Sequence, residues 1–79
     1  MKSLKSIYDT IRYMMDELEA IDLSLIDKRD SIEERADNLG RDMTSKEQER
    51  FDYLDSKIYN IEDCVESLEN ARMSLEDYI

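Results

Sequence analysis

The chain has no proline, no histidine and no tryptophan, and it has a single glycine and a single cysteine among its 79 residues. Proline and glycine punctuate sheets and turn-rich folds, so their near-absence predicts an all-α fold class. One cysteine excludes an internal disulfide framework and is typical of a reducing compartment. No apolar run approaches the roughly 20 residues of a membrane span, and the lysines of the start of the chain precede no apolar segment typical of a signal peptide. We therefore expect a cytoplasmic protein that does not enter a membrane.

The missing histidine also bears on catalysis, because it removes the commonest general base and metal ligand. One glycine cannot form a phosphate-cradling loop. The sequence contains neither the Glu-x-x-His pairs of di-metal bundles nor an Asp-x-Asp-x-Asp-Gly calcium loop. Cys64 has no histidine partner, and the neighbouring acids Asp63 and Glu66 disfavour its thiolate. We predict no catalytic residue, no metal site and no cofactor, and hence a protein that is not an enzyme.

Charge of one sign dominates the chain. Acidic residues number 21 against 11 basic ones, which gives a formal net charge of −10. Such a chain is repelled by phosphates, so we expect no direct binding to nucleic acid or to an anionic membrane surface. A protein partner with a basic surface is the natural electrostatic complement.

The apolar residues of the second half of the chain alternate three and four positions apart, and only Arg72 breaks this rhythm. The a/d spacing is typical of a helix that buries one narrow stripe. The predicted stripe consists of Phe51, Leu54, Ile58, Ile61, Val65, Leu68, Leu75 and Ile79.

The first half carries a heptad pattern of its own. Its a positions are apolar throughout, whereas its d positions are apolar at first and basic toward the middle of the chain. The a row is Leu4, Ile11, Leu18, Leu25, Ile32 and Leu39, and the d row is Ile7, Met14, Ile21, Lys28 and Arg35. With Ser3 as a candidate N-cap, this pattern predicts one long helix over residues 3–38.

Stop and start signals separate the two patterns. Gly40 is suited to the C′ position that ends a helix in the left-handed conformation, and Thr44 with Glu47 forms a capping-box sequence that begins the next helix. We therefore predict an antiparallel two-helix hairpin of the coiled-coil type, with a turn over 39–44 and a second helix over 45–78, within a single domain spanning 1–79. The alternative is one continuous helix bent at Gly40.

The antiparallel register that uses the most seam residues places Arg72 beside Met14. In this register Lys28 and Arg35 cover the seam near the turn with their alkyl stems, while their charged heads reach Asp55 or Asp52. The alternative is that these two residues form a functional basic site. An arginine within the seam is a device that fixes register at some cost in stability.

Two helices that share one stripe bury little apolar surface, which favours further association. Additional apolar residues lie away from the predicted seam and fall at matching heights on the two helices, as expected of a second contact face. These candidate interface residues are Tyr13, Leu23, Ile26, Tyr59 and Met73. We expect two hairpins to pair through an isologous interface into a homodimeric four-helix bundle.

Acidic residues of the second helix also recur with the heptad. The candidate acidic face consists of Asp55, Glu62, Glu66, Glu69 and Glu76. One interpretation is a solvated face that keeps a small protein soluble. The other is an array of carboxylates that imitates the phosphates of a nucleic acid.

Two segments carry a resemblance to a known group of proteins: Glu47-Gln48-Glu49-Arg50-Phe51-Asp52-Tyr53-Leu54 and Ile61-Glu62-Asp63-Cys64-Val65-Glu66-Ser67-Leu68-Glu69. They resemble the small acidic helical proteins of bacteriophages and mobile elements. The resemblance implies an inhibitor directed at a host enzyme.

The sequence leaves two functional hypotheses. The first is a homo-oligomeric, non-enzymatic protein-interaction module. The second is a phage-type inhibitor that blocks a host defence or nucleic-acid-processing enzyme with its acidic face.

Overall fold

Two α-helices make up most of the chain in the computed structural model, which describes residues 3–79. Helix α1 spans Leu4–Asn38 and helix α2 spans Ser45–Glu76. They pack antiparallel, because Tyr8 near the start of α1 contacts Glu76 at the end of α2. The predicted all-α antiparallel hairpin is thereby confirmed. The part of the signal-peptide argument that falls on Met1 and Lys2 lies outside the described residues.

Helix α1 begins at a serine cap. Ser3 has extended backbone angles, and its hydroxyl accepts a hydrogen bond from the amide of Ser6 at 3.1 Å. The bond satisfies one of the amides that the first turn of a helix leaves without a partner. Ser3 is confirmed as the N-cap, so α1 begins one residue later than the predicted bound.

The turn between the helices follows the predicted signals. Gly40 adopts a φ of 66°, and the next amide, that of Arg41, donates to the carbonyl of Ala36 at 3.2 Å, while the Gly40 amide donates to Asp37 at 3.0 Å. These two bonds form a Schellman motif, which requires the left-handed conformation that glycine adopts without steric cost. The alternative of a continuous helix is therefore wrong.

Helix α2 begins with a complete capping box. The Glu47 amide donates to the Thr44 hydroxyl at 3.2 Å, and the Thr44 amide donates to Glu47 Oε1 at 2.9 Å. At its far end the helix stops two residues before the predicted bound of 78, because the amide of Tyr78 donates to the carbonyl of Leu75, one residue closer than in an α-helix. The predicted capping box is confirmed.

The seam uses the predicted stripe of α2 but a different stripe of α1. Leu54 and Ile58 are buried at 2% and 3% exposure, and the other members of the α2 stripe are half-buried apart from Ile79. On α1 the a row packs together with the neighbouring e row rather than with the predicted d row. The e row is Tyr8, Met15, Asp22, Arg29 and Ala36, all of them buried or half-buried.

The physical reason lies at the turn, where the e row ends in a small residue and the d row ends in two cations. Ala36 is 2% exposed and lets the helices approach closely beside the turn. Lys28 and Arg35 are exposed, so the prediction that they cover the seam is wrong. Because a helix rotates as one body, the rotation set at the turn also holds at the other end and turns the d row outward there.

The register differs from the predicted one by about one helical turn. Placing Arg72 beside Met14 would put Tyr8 beside Tyr78. In the structure Arg72 donates instead to the Tyr8 hydroxyl at 3.0 Å, and Tyr8 also contacts Glu76. Tyr8 therefore lies level with the middle of residues 72–76.

The hairpin is a long rod with a thin core. It measures 56 × 19 × 15 Å, close to the ~52 Å length of a 35-residue helix. Among the described residues only Ile11, Ala36, Leu54 and Ile58 are buried, whereas 12 large hydrophobic residues are exposed. The two helices alone thus leave much of their apolar surface in water.

Candidate protein-interaction surface

Polar contacts cross between the helices along one side of the hairpin, which we call the bridged edge. At the end far from the turn, Tyr8 donates to Glu76 Oε1 at 3.0 Å, and Arg72 donates to the same oxygen at 2.6 Å. Arg72 also binds both carboxylate oxygens of Glu69. This bond lowers the pKa of Glu69 below its ordinary value and raises the pKa of Arg72.

A second bridge lies nearer the turn on the same edge. Arg29 of α1 donates to Asp55 Oδ1 at 2.8 Å and to its neighbour Asp30 at 3.0 Å. Its guanidinium also lies 5.9 Å from the centre of the Phe51 ring, a distance at which cations are attracted to aromatic faces. The hydrogen bonds to Asp30 and Asp55 raise the pKa of Arg29. Sequence reasoning missed Arg29, although it stands in the heptad row of Tyr8.

The bridged edge holds most of the predicted acidic face. Asp55 pairs with Arg29, and both Glu69 and Glu76 pair with Arg72. Glu62 and Glu66 are exposed and form no ion pair within the described residues. Three of the five carboxylates are thus partly neutralised by the chain itself, which makes this edge less anionic than its sequence implies.

The predicted apolar interface residues do not form one surface. Ile26 lies three residues before Arg29, and Tyr59 lies four after Asp55, so both border the bridged edge. Met73 borders the same edge about 21 Å further along α2. Tyr13 instead lines a shallow groove with Ser6, on the surface of α1 alone. The five residues are exposed or half-buried, but only part of the set is brought together.

The opposite side of the hairpin has a different character, and we call it the groove face. It consists of the d and g rows of α1 with the g and c rows of α2, and a groove near the turn crosses it, lined by side chains of both helices. Of the 20 side chains in these rows between residues 7 and 78, only Glu17 is acidic. The 20 remaining acidic residues of the chain therefore stand outside this face.

The groove face divides along its length into two ends. The end far from the turn, here the apolar end, carries hydrophobic residues that are between 39% and 49% exposed. They are Ile7, Met14 and Ile21 of the d row, together with Leu4 of the a row, which adjoins them at the start of α1. The end next to the turn, here the basic end, carries five cations. They are Lys28, Arg35, Lys46, Arg50 and Lys57. The sequence signal for this division was present in the d row of α1, which changes from apolar to basic.

Neither a metal centre nor a membrane span is found in residues 3–79. No group of three or more Cys, Asp or Glu side chains in this part of the chain is placed to hold a metal ion. Neither α1 nor α2 is long and apolar enough to cross a bilayer.

The fold and its surface define an antiparallel helical hairpin with an unpartnered apolar end. The chain matches no protein-family model, no curated protein and no solved structure.

Proposed function

We propose that the protein is a non-enzymatic protein-interaction module whose working form is a homodimer of hairpins. The observation that supports this most is the exposed surface of the single chain. A compact monomer of 9.4 kDa exposes roughly 5,000 Å², whereas the hairpin exposes 6062 Å². The excess, on the order of 1,000 Å², is comparable with the ~800 Å² that each partner buries in a standard interface.

The apolar end of the groove face is the surface that the dimer covers. Ile7, Met14 and Ile21 stand seven residues apart on one side of α1, and from Leu4 to Ile21 they extend over about 26 Å. In α2 the adjoining row continues with the exposed residues Ala71 and Tyr78. Burying such a row contributes about 25 cal/mol per Å² of apolar area removed from water, which favours a four-helix arrangement in this region.

The charges of the groove face select an antiparallel dimer. A two-fold axis parallel to the hairpins would bring the two basic ends together, with like charges repelling across the interface. A two-fold axis that is perpendicular to the hairpins and passes near Met14 packs the two apolar ends against each other and keeps the two basic ends apart. The proposed dimer is therefore longer than one hairpin, with its two turns at opposite extremities.

The experiment is a mass measurement by light scattering on fractions from size exclusion, with circular dichroism on the same fractions. We expect a helical species of roughly 19 kDa, twice the chain mass. The variant Ile7→Gln/Met14→Gln/Ile21→Gln is expected to be a helical monomer. Since Ile7 lies near the seam, the single variant Met14→Glu repeats the test with less risk to the hairpin.

A matched control removes three other exposed apolar residues. The variant Leu23→Gln/Tyr59→Gln/Met73→Gln is expected to remain a dimer, because these residues lie outside the groove face. A wild-type monomer at all concentrations contradicts the proposed dimer. A dimer lost only in the control variant places the interface at the bridged edge instead.

The alternative is an inhibitor that occupies a basic nucleic-acid site of a host enzyme through the acidic face. It predicts that charge reversal at Asp55, Glu62, Glu69 and Glu76 abolishes partner binding and that binding weakens steeply with salt. The pairing of Asp55 with Arg29, and of Glu69 and Glu76 with Arg72, reduces the charge available for such mimicry. These ion pairs favour the interaction module.

A further inference from the structure

The five cations of the basic end take no part in the ion pairs of the hairpin. Elsewhere in the described chain, Arg29, Arg41 and Arg72 each bind at least one carboxylate within 3 Å. None of the basic-end cations forms an ion pair with any residue of the range 3–79. A chain with 21 acidic residues thus keeps nearly half of its cations on one surface without a carboxylate partner.

Three of the basic-end cations line a groove with an apolar floor. Ile32 and Ser31 of α1 line the groove together with Arg35, Lys46 and Arg50. Glu47 also lines it, but its carboxylate is already bonded to Arg41 and to the Thr44 amide. The lining therefore offers a half-buried isoleucine and three cations that have no carboxylate partner within the described chain.

An aromatic ring holds part of the cation set in place. The Tyr53 ring lies between Arg50 and Lys57, with each cationic group 5.4 Å from the ring centre. Such cation–π contacts restrict long side chains that are otherwise free to move in solvent. Lys46 and Lys57 stand eleven residues apart on α2, so the basic end extends over roughly 16 Å.

We infer that the basic end is the docking site for a short acidic segment of a partner protein that carries an apolar anchor residue. Carboxylates of the segment pair with Arg35, Lys46 and Arg50, and the apolar anchor packs on Ile32 in the groove. Charge complementarity argues for this occupant, because the site gathers five cations without a carboxylate partner among residues 3–79, on a protein of net charge −10. The inference deepens the proposed function by naming a class of partner. It rests on the proposed function only in treating the chain as an interaction module.

Two other occupants fit the surface less well. A nucleic acid extends beyond 16 Å, and its further phosphates approach a chain with a net charge of −10. A second copy of the hairpin, placed groove face to groove face, sets cations against cations when parallel. A second copy that is antiparallel and overlaps the first over its full length places the cations of each hairpin against the apolar end of the other.

The test measures fluorescence anisotropy of a labelled synthetic peptide in which pairs of glutamates alternate with leucines. The wild-type protein is expected to bind this peptide, and to bind a matched peptide with glutamine in place of glutamate at least tenfold more weakly. The variant Arg35→Gln/Arg50→Gln is expected to lose roughly three- to tenfold in affinity, as for two exposed charge pairs. The control Lys5→Gln/Arg12→Gln also removes two positive charges, but from residues outside the groove face. It is expected to keep the wild-type affinity.

The same samples distinguish the competing occupants. Absence of peptide binding by the wild-type protein, or an equal loss in both variants, overturns the inference. Tighter binding of a labelled single-stranded oligonucleotide than of the acidic peptide assigns the site to nucleic acid and also overturns it. If the mass of the Arg35→Gln/Arg50→Gln variant drops from dimer to monomer, the site belongs to the second copy. The proposed dimer is judged separately from the wild-type mass, so either proposal can fail alone.

Discussion

At the scale of single residues, Glu47 links the turn to the start of α2. Its carboxylate accepts from Arg41 at 2.7 Å and from the Thr44 amide at 2.9 Å, at the point where α2 begins. The Arg41 bond first, and the backbone bond of Thr44 second, lower the pKa of Glu47 from 4.5 to about 2. The folded hairpin therefore binds the proton of this group less readily than the unfolded chain does.

This pKa makes the stability of the hairpin depend on pH in a defined range. Because the folded-state pKa lies below the unfolded one, the contribution of Glu47 is complete above about pH 4.5 and is lost as the pH falls toward about 2. The Glu47→Gln variant is expected to melt below the wild type at pH 7. This difference is expected to shrink as the pH falls through the same range, as followed by circular dichroism.

A neighbouring glutamate provides the control. Glu49 is exposed and takes part in no ion pair within the described residues, so Glu49→Gln is expected to show no pH-dependent difference in this range. A constant gap between Glu47→Gln and the wild type from pH 7 to pH 2 would contradict the assigned role of the carboxylate.

At the scale of the helices, the sequence was a good guide to everything set by local chemistry. The caps of Ser3 and Thr44 and the left-handed Gly40 depend on residues within one turn of each other, and all three are confirmed. The α2 stripe was also predictable, because its a and d rows are apolar and the other rows of the helix carry few apolar residues.

The rotation of α1 and the register were not predictable in the same way. The first half of α1 offers two partly apolar rows beside the a row, and the d row, with Ile7, Met14 and Ile21, is the more hydrophobic. The choice between them depends on how closely the helices approach at the small Ala36, and on bridges such as that from Arg29 to Asp55. These are contacts between distant parts of the chain, which periodicity alone does not rank.

The chosen rotation places one poorly satisfied residue in the seam. Asp22 of the e row is half-buried, and its Oδ1 is buried without a hydrogen-bond partner in the structure. An unsatisfied buried acceptor costs roughly 1–3 kcal/mol. The Asp22→Leu variant is therefore expected to raise the free energy of unfolding, with a higher melting temperature by circular dichroism.

The control for this variant removes the same negative charge from the outer surface of α1. Asp16 is exposed, so Asp16→Leu relieves charge repulsion without relieving an unsatisfied acceptor. An equal rise in melting temperature for both variants would show that net charge, rather than the seam position of Asp22, limits stability.

At the scale of the whole molecule, two opposing forces act on the proposed dimer. The apolar ends attract, while two copies of net charge −10 repel. Raising the salt concentration from about 0.01 M to about 0.15 M shortens the range of the repulsion from about 30 Å to about 8 Å. Dimerisation is therefore expected to strengthen several-fold with added salt, as measured by sedimentation equilibrium.

Peptide docking at the basic end is expected to respond to salt in the opposite direction, since it joins unlike charges. The two responses can be measured in one buffer series on the wild-type protein. A dimer that weakens with salt would indicate an interface held by ion pairs, contrary to the apolar end proposed here.

The compact turn has a consequence for the order of events during folding. Its bond from Arg41 to Glu47 joins residues six apart, whereas the bonds of Tyr8 join residues 64 and 68 apart. Closing the longer loop first costs roughly 2 kcal/mol more in chain entropy, so the hairpin is expected to zip from its turn outward. In stopped-flow experiments Leu54→Ala, near the turn, is then expected mainly to slow folding, and Ile11→Ala, at the far end, mainly to accelerate unfolding.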